Sequence, residues 1–210
     1  MIQVLIADDH AIVRHGLKQI IEDSGEMHVV AEASSGIEAL RKIREHVCDV
    51  VLLDISLPDM SGIDVLKQIH AEKPHLPILI LSIYPEDQYA SRLIKAGAAG
   101  YLTKESAPPE VIGALQRVAS GKKYISPAVA EILANEIGDA EEKLPHQTLS
   151  DREYQIFLLL AAAKTVTEIA DALALSVKTV STYRSRILEK MHLDNNAELM
   201  RYAVDHRLEQ

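Results

Sequence analysis

Five side chains in the first half of the sequence could do chemistry together: the carboxylates of Asp8, Asp9 and Asp54, the hydroxyl of Ser82 and the ammonium of Lys104. Each follows a short apolar run. Val50-Val51-Leu52-Leu53 leads into Asp54, Val4 to Ala7 into Asp8 and Asp9, Ile78 to Leu81 into Ser82, and Gly100-Tyr101-Leu102-Thr103 into Lys104. Runs of this length, rich in Val, Ile and Leu, read as strands buried on both faces. In an open parallel sheet, ligands gather at the carboxyl ends of the strands. Taken singly, the acids are turn formers or helix caps, Ser82 is a loop hydroxyl and Lys104 a surface lysine. Gathered at one edge, three acids repel one another, so either one binds a proton at a raised pKa or a cation neutralises the group. A hard, oxygen-lined site with open positions suits Mg²⁺. A carboxylate nucleophile, a metal, a hydroxyl donor and a fixed positive charge are what transient phosphoryl transfer to an aspartate needs, and Asp54 is the expected acceptor.

The elements that must hold these groups follow from periodicity. Strands are expected at Ile2 to Ala7, Val29 to Ala33, Val50 to Leu53, Ile78 to Leu81 and Gly100 to Leu102, with amphipathic helical patterns between and after them. The helical faces carry Ile12, Val13, Leu17, Ile20 and Ile21; Ile37, Leu40 and Ile43; Val65, Leu66 and Ile69; Tyr89, Leu93 and Ile94; and Val111, Ile112, Leu115 and Val118. Alternation of this kind builds a flavodoxin-like (βα)5 domain with a parallel sheet, expected over residues 1–120. Asp8, Asp9 and Asp54 meet in it if the first and third strands are neighbours. Pro58 and Gly62 supply the turn that exposes the end of the third strand.

Residues 121–147 change character. A short helix, Ala128 to Ile137, is followed by a polar, acidic stretch ending at Pro145, which is linker composition. From residue 148 to 210 the pattern is all helical. Ser150 and Glu153 form a capping box before Tyr154 to Ala162, and helices follow at Val166 to Leu173, at Val177 to Met191 after a Ser176 cap, and at Ala197 to Val204 after an Asn195 cap. The second and third make a helix-turn-helix, with Ile169, Ala170 and Leu173 packing inward from one helix and Val177, Val180, Ile187 and Leu188 from the other. Residues 176–192 carry Lys178, Arg184, Arg186 and Lys190 against Glu189, a surplus of three positive charges in a chain whose net charge is −9. A helix-turn-helix lays its second helix in the major groove. Ser181, Thr182 and Ser185 are therefore expected to face bases, and Lys178, Thr179, Arg184 and Lys190 to hold the phosphate backbone. Ser and Thr discriminate bases weakly, and a solvated helix in a protein-binding bundle is the alternative.

The totals narrow the class. A chain of 210 residues favours two domains. The single cysteine, Cys48, permits no internal disulfide and reads as packing rather than redox sensing. The nine histidines show no metal-ligand spacing; His10 and His15 are expected along the first helix, and most are expected to face solvent. Asp8 and Asp9 interrupt the first apolar stretch, so neither a signal-peptide core nor a membrane span is expected, and the expected localisation is cytoplasmic.

Residues 1–120, with these strand-end groups, resemble the receiver domain of two-component response regulators. Residues 148–206 resemble the LuxR-type helix-turn-helix domain, so the whole is similar to the NarL/FixJ family. The resemblance implies a transcription regulator rather than an enzyme. It implies phosphorylation of Asp54 by a sensor histidine kinase, Mg²⁺ held by Asp8, Asp9, Asp54 and the backbone carbonyl of Ser56, and a switch made of Ser82, the inward-turning aromatic Tyr101 and the phosphate-pairing Lys104. The implied partners are promoter DNA, RNA polymerase and, once phosphorylated, a second copy in a homodimer. Two departures stand out: Glu105 follows the lysine where many receivers have proline, and Ala163-Lys164 stands where the output family usually has glycine. A haloacid-dehalogenase-like phosphohydrolase also uses a strand-end aspartate, but it needs a second acid two residues on, where this chain has Ser56. A receiver-like module indifferent to phosphate is the other rival.

Overall fold

The computed structural model describes residues 1–138, 144–206 and 208. The acidic stretch from residue 139 to 143, expected to be linker, lies outside them. Contacts divide the chain into two compact units, Met1–Leu133 and Ala134–Gln210.

The first unit alternates strands and helices: β1 (Ile2–Ala7), α1 (Ala11–Asp23), β2 (Met27–Ala33), α2 (Gly36–Glu45), β3 (Val50–Asp54), α3 (Gly62–Glu72), β4 (Ile78–Ser82), α4 (Glu86–Lys95), β5 (Gly100–Thr103), α5 (Pro108–Ala119) and the start of α6 (Pro127–Gly138). All five strands are parallel, in the order β2-β1-β3-β4-β5. The chain reverses direction across the sheet between β1 and β3, the crevice where such folds bind ligands.

Alternate side chains of each strand point to opposite faces. Val4 and Ile6 of β1, Val50 and Leu52 of β3, Leu79 and Leu81 of β4 and Leu102 of β5 form one core with Leu17 and Ile21 of α1 and Val111, Ala114, Leu115 and Val118 of α5. The intervening Leu5, Val51, Leu53, Ile78 and Ile80 are equally buried on the opposite face. A sheet covered on both sides explains why β3 and β4 are unbroken apolar runs. β2 starts at Met27, two residues before the expected Val29, because Met27 pairs with Ile2 and fills the core. Ile12 and Ile37, expected on inward helical faces, are instead exposed, at 90% and 63%.

Beyond α5 the chain stays fastened to the first unit. Tyr124 N–H donates to the Ala99 carbonyl, Tyr124 Oη to Glu110 Oε1 at 2.8 Å, and Ser126 Oγ to Glu86 Oε2 at 2.6 Å.

After the end of α6, the described residues of the second unit form a 3₁₀ turn (Pro145–Thr148) and four helices, α7 (Asp151–Ala161), α8 (Val166–Ala172), α9 (Val177–Met191) and α10 (Asn196–Asp205). The local sequence sets every helix start. Ser150 with Glu153 and Thr165 with Glu168 form capping boxes, while Ser176 caps Thr179 N–H and Asn195 caps Glu198 N–H. Three helix ends repeat one device. Lys164 N–H returns to the Leu159 carbonyl, Leu175 N–H to Ala170 and Leu193 N–H to Leu188, each beside a residue with positive φ: Ala163 (59°), Ala174 (51°) and His192 (56°). These are Schellman turns, which favour glycine at that position. Every glycine of this chain lies at or before Gly138.

Candidate functional site

β1 and β3 are neighbours, with Ala7 opposite Leu53, so Asp8 and Asp54 leave the sheet side by side. Both are 1% exposed. Ser82, at the end of β4, stands opposite Thr103 of β5, which delivers Lys104 to the same edge. Lys104 Nζ lies 2.7 Å from Asp54 Oδ2 and 2.7 Å from Asp8 Oδ2, and Lys104 N–H donates to the Ser82 carbonyl at 2.7 Å. The carboxylates of Asp8, Asp9 and Asp54 all fall within one set of donors no more than 4.8 Å apart. Three carboxylates with a lysine beside them form a hard-oxygen set able to hold a divalent cation and leave positions open.

The electrostatics match this crowding. Burial pushes the Asp54 carboxyl above its ordinary value, the Lys104 ammonium pulls it back only in part, and the Asp8 charge adds to the rise. Burial would lower Lys104, yet its bonds to Asp54 and Asp8 win and its pKa is raised. The lysine stays charged.

The loop after β3 turns sharply under Asp54. Ser56 N–H donates to Asp54 Oδ1 at 3.0 Å, and Gly62 N–H to the Ile55 carbonyl at 3.0 Å. A Cβ on Gly62 would stand 2.4 Å from Ile55 Cα and 2.5 Å from the Asp54 carbonyl oxygen, so only glycine fits this approach. Just past β4, Tyr84 N–H donates to Ser82 Oγ at 3.1 Å. Tyr101 is 1% exposed with its hydroxyl donating to the Tyr84 carbonyl at 2.8 Å, which is the inward position. Burial raises the pKa of both phenols. The Lys104–Glu105 peptide is trans, as no cis bond occurs among the described residues.

Two participants escape a reading by spacing. His10 precedes α1 as its N-cap residue rather than lying along it, and its Nδ1 stands 2.6 Å from Asp9 Oδ1 and 3.4 Å from Asp8 Oδ1, so it joins the same donor set. Arg14 Nη1 donates to the Asp8 carbonyl at 2.7 Å. Contiguity with Asp8 and Asp9 was the signal for His10; nothing in the sequence marks Arg14.

In the second unit, Lys178, Thr179, Thr182, Tyr183 and Arg186 line one shallow depression on α9 of about 260 Å³. Several expected DNA contacts are otherwise engaged. Lys190 Nζ is 2.6 Å from Glu153 Oε2, and Arg184 Nε donates to Asn196 Oδ1 at 2.6 Å. The hydroxyls of Thr182 and Ser185 donate to the carbonyls of Lys178 and Ser181, four residues back. Ser181 is exposed. Val177, expected to pack inward, is 49% exposed. Arg186, assigned no contact from the sequence, is exposed on the face that carries Lys178; its place two positions after Arg184 gave no hint of which arginine points outward.

With this geometry established, comparison with known proteins identifies relatives for both units. A response regulator receiver domain model matches residues 4–116, and a model of the bacterial regulatory proteins of the luxR family matches residues 147–203. The chain is 38% identical to the response regulator UvrY of Escherichia coli K12 over 209 residues, 99% of this chain and 96% of that one. It is 39% identical to the response regulator GacA of Pseudomonas viridiflava over 207 residues, 98% of this chain and 97% of that one. Among solved structures it is similar to RcsB of Salmonella enterica serovar Typhimurium bound to promoter rprA in the presence of phosphomimetic BeF3⁻, with TM-score 0.66, 25% identity and coverage of 96% and 97% of the two chains. A two-component response regulator of the LuxR family from Aurantimonas matches at 35% identity and TM-score 0.60, over 65% of this chain and 98% of that one.

Proposed function

Since the chain belongs to the NarL/FixJ-type two-component response regulators, a receiver domain joined to a LuxR-type DNA-binding domain, we propose that Asp54 is its phosphoacceptor and that a sensor histidine kinase is the donor. The observation that carries this reading is Lys104 Nζ at 2.7 Å from both Asp54 and Asp8, with Ser82 at the neighbouring strand end. The Asp54 oxygen forms the new P–O bond as the donor's P–N bond breaks. Lys104 then turns from pairing carboxylates to pairing a phosphoryl oxygen, and Ser82 Oγ donates to another. Mg²⁺ would be held by Asp8, Asp9, Asp54 and the Ser56 carbonyl; when bound, it neutralises charge on the transferring group. A phosphoryl group adds about two negative charges to this edge, and Ser82, Tyr84 and Tyr101 form the hydrogen-bonded path that responds.

The output is binding of promoter DNA by α9, through Lys178 and Arg186 on the backbone and Ser181, Thr182 and Ser185 toward the bases. Phosphorylation favours a homodimer, whose two modest modules gain from effective concentration on paired half-sites. The solved complexes of RcsB with DNA, one with two RcsB dimers, support this reading.

Acetyl phosphate with Mg²⁺ should label the wild-type protein and leave Asp54→Ala unlabelled; equal labelling of both would sink the assignment. Footprinting with and without the phosphodonor checks the output: protection of promoter DNA should strengthen on phosphorylation. Protection indifferent to the donor would favour the phosphate-independent module.

A further inference from the structure

The loop between β3 and α3 carries Ser56, and something must hold that loop still if its carbonyl is to serve a cation. Gly62 anchors the far end against the backbone of Asp54 and Ile55. In the middle, Asp59 reaches out of the loop to another element. Its Oδ1 accepts from Gly36 N–H at 2.7 Å and its Oδ2 from Ile37 N–H at 2.9 Å, the first two amides of α2 and 23 and 22 residues away in sequence. The packing is equally close. A Cβ on Gly36 would stand 2.8 Å from Val65 Cγ2, 3.0 Å from Met60 Cβ and 3.3 Å from Asp59 Oδ1.

The local cap of α2 is incomplete without this contact. Ser35 accepts only from Glu38 N–H, and Glu38 in turn accepts from Ser34 N–H, which leaves the Gly36 and Ile37 amides to be capped from the distant loop by Asp59. Asp59 is exposed as a whole residue, so the contact is not the by-product of a buried side chain. What the contact adds is a fixed distance between the start of α2 and the loop under Asp54. The positive end of a helix is a suitable anchor for a carboxylate. Partial burial would raise the Asp59 carboxyl, but the Ile37 and Gly36 amides, with the Ser35 side chain, outweigh it and hold it below its ordinary value.

We propose that Asp59 is a positioning residue for the cation site: by stapling the β3–α3 loop to the N-terminus of α2, it holds the Ser56 carbonyl in register with Asp54 and Asp8. The proposal rests on the cation-site reading above and adds a residue that touches neither metal nor phosphate. Outer contacts that orient metal ligands are typically worth a factor of about 10–100 in affinity.

The test is a Mn²⁺ titration of the full chain followed by electron paramagnetic resonance, with Mg²⁺ as competitor and thermal unfolding measured alongside. Asp59→Ala should weaken Mn²⁺ about tenfold. Asp59→Asn, which keeps one acceptor oxygen, should fall between that variant and wild type. Gly36→Ala leaves the Asp59 charge intact but presses a Cβ against Val65 and Met60 beside the Asp59 contact, and it should weaken Mn²⁺ as well. A folded Asp59→Ala with wild-type affinity overturns the proposal. So does a pattern in which Asp59→Asn is as weak as Asp59→Ala while Gly36→Ala binds normally, since that would be loss of charge alone. If Asp59→Ala does not fold, the other two variants decide by the same criteria. Absence of Mn²⁺ binding by the wild type would instead remove the cation site itself.

Discussion

At the scale of single residues, Asp54 carries a conflict: its carboxyl is raised above the usual value by burial, with Lys104 only partly offsetting and Asp8 adding to the rise. A group raised on folding favours the folded state while protonated and loses that contribution as pH climbs from its unfolded value through its folded one. At neutral pH, ionised Asp54 therefore costs stability. Asp54→Asn should raise the midpoint of thermal unfolding at pH 7 in the absence of metal, and the gain should vanish below pH ~3.8, where both states of the wild type hold the proton. A constant gain at every pH would contradict this account. Ala163 and Ala174 carry strain of another kind. A left-handed conformation costs a non-glycine residue about 1–2 kcal/mol, of which glycine's larger unfolded-state entropy gives back roughly 0.5–1. Ala163→Gly and Ala174→Gly should each stabilise the output unit by up to about 1 kcal/mol in urea titrations.

At the scale of elements, α9 separates cations that face outward from cations that hold the domain together. Lys178 and Arg186 line its open depression, while Lys190 is committed to Glu153, a carboxylate 3% exposed that also closes the capping box of α7. Burial would raise Glu153, but Lys190 and the Ser150 N–H outweigh it, so its pKa is lowered; its contribution is present above the ordinary carboxylate range and lost as pH falls through the lowered value. Replacing Lys178 and Arg186 together should weaken binding to every duplex and reduce the slope of log K against log salt by about two, one per phosphate contact. Lys190→Ala should leave that slope nearly unchanged and lower thermal stability instead. The opposite pattern would return Lys190 to the DNA face. The start of α6 depends on a shared hydroxyl: Ser126 Oγ donates to Glu86 and accepts from Val129 N–H at 3.2 Å. Ser126→Ala should cost about 1 kcal/mol in the first unit, the usual worth of a serine cap.

At the scale of the molecule, a net charge of −9 coexists with a cationic strip confined to one helix. Nucleic-acid binding is therefore local, and the acidic remainder opposes unspecific coating of DNA. The proposed cation site is local as well. A ligand at ten times its Kd stabilises the state that binds it by about 1.4 kcal/mol. Mg²⁺ at that level should slow amide exchange in β1 and β3 and leave α7 to α10 unchanged. Among the described residues no helix is long and apolar enough to cross a membrane.

Much of this molecule was legible from the order of its residues. The five strands, the groups at their ends, and the Ser150, Ser176 and Asn195 caps are local signals, because periodicity and capping depend on neighbours a few positions apart. Tertiary structure decided which distant groups meet. Asp54 and Asp8 share Lys104 only because β1 and β3 are adjacent, and Asp59 finds Gly36 only because the β3–α3 loop meets the N-terminus of α2. Lys190 and Arg186 look alike as text. They differ because one has a buried carboxylate within 2.6 Å and the other faces solvent. Side-chain partners are set by packing between elements, and that information is absent from any window short enough to read along the chain.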